Sequence, residues 1–127
     1  MKKIAFLAAA AMILPTAAFA TGAQEISTAA THAGLAAKQT DVMKVHMHLH
    51  HALNCLVGPA GEGFDATNAN PCAKQGAGAI PDSDAATAAK LKAVVPTLQS
   101  GISATDLAIA QKDASDASAA ITAAHGM

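Results

Sequence analysis

Leu35, Val42, Val45, Leu49, Leu53 and Leu56 recur at the spacing of an α-helix, and at about 100° per residue they fall within an arc of about 80°. Gly58 and Pro59 end that run, because neither continues a helix comfortably. The pattern predicts one long first helix over residues 26–56. The phase set by Leu35 carries through to Val42 without slipping, so residues 38–41 read as helical. The alternative is a break there with Thr40 as an N-cap. A break makes four helices instead of three.

Two further helices are predicted beyond the Gly/Pro-rich stretch 58–82. Asp82, Ser83 and Asp84 are start residues for one that runs to about residue 100, with Leu91, Val94, Val95 and Leu98 as core candidates. Pro96 lies inside it and predicts a kink or an early end. Gly101 is expected to break the chain. Ser103 then caps the last helix, with Asp106 three residues on. Its apolar face is Leu107, Ile109, Ala110, Ala114, Ala117 and Ile121. Hydrophobic residues are 52% of the chain and aromatic ones 2%, so the core is built from small side chains. Alanine is the best helix former and buries little area. The fold class is therefore all-α, a small bundle with closely packed helices.

The first twenty residues carry Lys2 and Lys3, an apolar run from Ile4 to Leu14, and Ala18-Phe19-Ala20 as a cleavage site. This is the pattern of a secretory signal peptide, too short to span a bilayer. The mature chain is expected to be one domain over residues 21–127, periplasmic or secreted, with no membrane insertion. Cys55 at the end of the long helix and Cys72 in the 58–82 loop are then expected to form a disulfide. Closing a loop of this length is worth about 3 kcal/mol in a chain-entropy account. Six lysines face nine carboxylates in the mature chain, with no arginine, a net charge of −3. That balance offers no basic surface to nucleic acid or anionic lipid.

Residues 41–56 hold four of the six histidines and two of the five methionines. On a helix, Met43, His46, Met47 and His50 share one face at i,i+3 and i,i+4 spacings, within about 5–6 Å of one another. Imidazoles one turn apart can clasp a metal ion, and thioethers select copper(I), so these four are the candidate metal ligands and copper the candidate metal. His48 and His51 point towards the Cys55 side and become a rival site with that thiol if it is reduced. His125 is a further candidate ligand, since the last helix could finish near the His50 end. His32 lies about 21 Å of helix axis from His46 and reaches it only from a second copy, which suggests a homodimer.

The plain alternative is that these histidines bond neighbouring groups and the methionines fill core gaps. No Cys-x-x-Cys-His is present, which excludes ordinary c-type haem attachment. A non-covalent haem b between helices stays open, although few aromatics are available to pack a porphyrin. No Gly-x-Ser-x-Gly or Walker-type loop is present, and the chain does not read as an enzyme. The preferred reading is an exported copper-binding protein. The alternatives are a non-enzymatic interaction or stress protein with a pH-sensing histidine cluster, and a b-type haem protein.

Overall fold

The computed structural model describes residues 18–125, with side chains from Gly22 onward. The signal peptide expected over residues 1–20 lies outside the described residues, apart from the backbone of 18–20. Among the described residues all regular structure is helical: α1 (Ala18–Ala37), α2 (Val42–Val57), α3 (Ala85–Ser103) and α4 (Leu107–His125). The helices run up, down, up and down. Each packs on its neighbour in sequence, α4 closes back on α1, and α1 and α3 occupy opposite corners. Among the described residues no helix is long and apolar enough to cross a membrane.

The continuous first helix is the expectation that fails. The chain breaks at residues 38–41, and the cap is Asp41 rather than Thr40. The Asp41 side chain accepts from the Met43 N–H at 2.9 Å, and its carbonyl accepts from Lys44 and Val45. The Leu/Val phase misled because α1 does not bury leucine. It buries Ile26, Ala29, Ala33 and Ala36, and Leu35 lies off that face, 39% exposed. α1 packs on α4, which buries Ala110, Ala114, Ala117 and Ala124 in the same core, and Ser118 Oγ of α4 donates to the Ala30 carbonyl at 3.0 Å. At the break, Gln111 of α4 donates to the Gln39 carbonyl at 2.7 Å. The turn is thereby tied to the neighbouring helix.

Two boundaries also move. α3 runs through Pro96, which is exposed, and through Gly101 to Ser103. Gly101 is a contact point, not a breaker: a Cβ there would stand 2.7 Å from Leu49 Cδ1 and 3.1 Å from Asp113 Cβ. The last helix is capped by Asp106, whose carboxylate accepts from the Ile109 N–H at 3.1 Å. Ser103, the expected cap, is the last residue of α3. Ile109 is 55% exposed and leaves the apolar face to the alanines and Ile121.

The 58–82 loop folds back along the end of α2. Cys55 and Cys72 form the expected disulfide, both sulfurs buried. Ala79 and Ile80 donate to the Cys55 and Leu56 carbonyls at 2.9 Å, extending the chain beside the helix end. Asn54, fully buried, organises the other half of the loop. Its amide donates to the Asp65 and Ala69 carbonyls at 3.0 and 3.1 Å, and its oxygen accepts from the Asp65 N–H at 2.9 Å.

Candidate metal centre

The break at residues 38–41 decides which histidines meet. Once α1 turns back along α2, His32 no longer overhangs the bundle. It lies across from His48 and His51 of the same chain, so the reason for expecting a second copy disappears. His48 and His51 share a face of α2 at i,i+3 spacing, and their partner arrives from the antiparallel helix. The three side chains are half-buried, and one ligand atom from each lies within 4.8 Å of the others.

The rings pack as a cluster. Ring centroids are 5.6 Å apart for His32 and His48, 5.1 Å for His32 and His51, and 5.7 Å for His48 and His51, and the His51 ring stands edge-on to both others. His32 Nδ1 and His48 Nδ1 are 3.3 Å apart. In a tetrahedral site with metal–nitrogen bonds of about 2.0–2.1 Å, neighbouring nitrogens stand about 3.3–3.4 Å apart. That pair is already spaced for a shared ion. His51 Nδ1 is buried and has no hydrogen-bond partner. A buried unpaired ring nitrogen is costly unless something occupies it.

Electrostatics favour the ligating form of His32 and His51. Burial holds His32 below the ordinary histidine range, and the neighbouring His51 and His48 push it further down. His51 is lowered first by burial, then by His48 and His50. Each additional proton in the cluster repels the last. For His32 and His51 both effects favour the uncharged ring with a free lone pair, the state a metal requires.

The four residues expected to converge are placed otherwise. Met43 and Met47 are 68% and 39% exposed. His46 Nε2 stands 2.8 Å from the Ala104 carbonyl oxygen, which it can meet only as an N–H donor, between α3 and α4. His50 Nδ1 faces Asp65 Oδ2 at 3.5 Å and makes no hydrogen bond. Thr67 and Asn68 hold Asp65 from the other side and depress its carboxyl below the usual range. His125 ends α4 exposed, beside Asp82 and Asp84, outside the triad. Of the expected ligands, the triad takes His48 and His51. It adds His32, which sequence spacing had set apart. The usable signal for His32 was the Asp41 cap together with the alanine stripe of α1.

Comparison with protein-family models, with curated proteins and with solved structures found no match for this chain.

Proposed function

We propose that this is an exported, non-enzymatic metal-binding protein that holds a single borderline transition-metal ion on His32, His48 and His51. The convergence of three imidazoles from two helices supports the reading. Copper(II) is the favoured ion. Imidazole suits copper and zinc alike, and the Irving–Williams order ranks copper(II) first among divalent ions for nitrogen sites. The triad contains no thioether, which removes the reason to prefer copper(I). Three protein ligands leave a fourth position for water or an exchanging ligand, an arrangement suited to taking up and passing on an ion. The buried disulfide fits an oxidising compartment.

Titration of disulfide-intact protein with copper(II) and with zinc tests this. One equivalent should bind, and His32→Ala should weaken binding by at least the 10–100-fold that loss of an outer-sphere partner costs. The pair His46→Ala/His50→Ala should leave affinity and stoichiometry unchanged. Wild-type binding by His32→Ala, or its loss in the His46/His50 variant, would refute the assignment.

A further inference from the structure

Glu25 is the only fully buried charged side chain among the described residues, and the metal centre does not use it. It lies on α1, two turns before His32. Its Oε1 accepts from the Gly78 N–H at 2.9 Å, while no donor reaches its buried Oε2. Asp82 stands beside it, with Oδ2 accepting from the Ala77 N–H at 2.8 Å. Both carboxylates crowd the same side of Gly76: a Cβ there would collide with Asp82 Oδ2 and lie 3.1 and 3.2 Å from the two Glu25 oxygens. Two carboxylates this close cannot both ionise cheaply, and burial makes it worse for Glu25. One proton resolves both difficulties, since a protonated Oε2 becomes a donor to the Asp82 carboxylate.

We propose that Glu25 and Asp82 share one proton and so form a pH-sensitive latch, which holds the 76–78 backbone on α1 in mild acid and releases it above neutral pH. The segment is suited to local release. It lies between two fixed points, the disulfide at Cys72 and the main-chain bonds of Ala79 and Ile80 to the end of α2. Opening there frees two amide bonds without dismantling the bundle.

The electrostatics have the sign the latch needs. Burial, opposed by the Gly78 hydrogen bond and reinforced by the charge and hydrogen bond of Asp82, raises Glu25 from 4.5 to about 7. A carboxyl raised by folding stabilises the fold fully below its unfolded value, and that contribution is lost as pH rises through about 7. Two other titratable groups border the pair from neighbouring elements. Asp84 caps α3 and is held low by its bonds to Thr87, and His125 of α4 lines the same depression as Asp82 and Asp84. Neither offers Glu25 Oε2 a hydrogen bond.

Amide exchange of metal-free, disulfide-intact protein at about pH 5.5 and about pH 8, corrected for intrinsic rates, tests the latch. Protection at Gly78 and Ala77 should fall roughly tenfold or more at the higher pH, while Leu49 in the core stays protected. Glu25→Gln, which mimics the protonated acid, should keep Gly78 protected at both values. Asp82→Asn, at the half-exposed partner, should move the transition to lower pH, and carboxyl carbon shifts should show wild-type Glu25 titrating near neutrality. Equal protection of wild type at both values, the same loss in Glu25→Gln, an unmoved transition in Asp82→Asn, or an ordinary carboxyl titration for Glu25 would overturn the proposal. So would restored Gly78 protection on adding millimolar calcium at the higher pH, which would make the pair a cation site.

Discussion

Asn54 commits its whole side chain to the loop, so its replacement is diagnostic. Asn54→Ala leaves the carbonyls of Asp65, Asn68 and Ala69 without their shared donor and the Asp65 N–H without its acceptor. At about 1–3 kcal/mol for leaving such groups unsatisfied, the variant should lose about 3 kcal/mol, measured by urea unfolding with the disulfide intact. The histidines give a second test, of opposite sign to Glu25. His32 and His51 fold with depressed pKa values, so their contribution is present above the unfolded value near 6.5 and lost as pH falls through the folded ones. In a metal-free Glu25→Gln background, stability should fall on acidification below about pH 6.5, and less so in His32→Ala. The clustering of histidines was legible in residues 41–56. The partner of each was not, because Ala104, Asp65 and His32 are brought to them by other elements.

At the scale of helices, the site depends on the turn at residues 38–41. Asp41→Ala removes the cap bond to Met43 and should cost about 1 kcal/mol of stability, read from a shift of the denaturant midpoint at unchanged slope. The buried part of the α1–α4 contact is a seam of small side chains. Ala114 is fully buried in that alanine seam, and Ala114→Leu should destabilise the protein by about 1–3 kcal/mol through overpacking. The alanines also explain the misplaced first helix. A hydrophobic pattern weighted by leucine and valine passes over a face made of Ala29, Ala33 and Ala36, so the phase of Leu35 carried more weight than its burial deserved. Helix starts at Asp84 and the stop at Gly58 were legible, because caps and breakers act locally. Gly101 looked like a breaker because its reason for being glycine is Leu49, 52 residues earlier.

For the whole molecule, the disulfide and the metal should stabilise by separate routes. Replacing Cys55 and Cys72 together by alanine should cost about 3 kcal/mol, since the bond closes the loop between residues 17 apart. Metal stoichiometry should be unchanged in that variant, because all three ligands sit on α1 and α2. A saturating ion at about 100 times its dissociation constant should add about 2.7 kcal/mol, raising the melting temperature by on the order of 10 °C in calorimetry. Residue types and local spacing were enough to determine an all-helical fold, its cysteine pairing, the cap at Asp84 and the stretch where its histidines cluster. Each of these depends on neighbours within a turn or two, or on there being only two cysteines to join. The direction of α1 along α2, and with it the triad of His32, His48 and His51, was decided by packing. An alanine face has too little hydrophobic contrast to announce its partner, and only the fit of α1 against α4 turns the chain back.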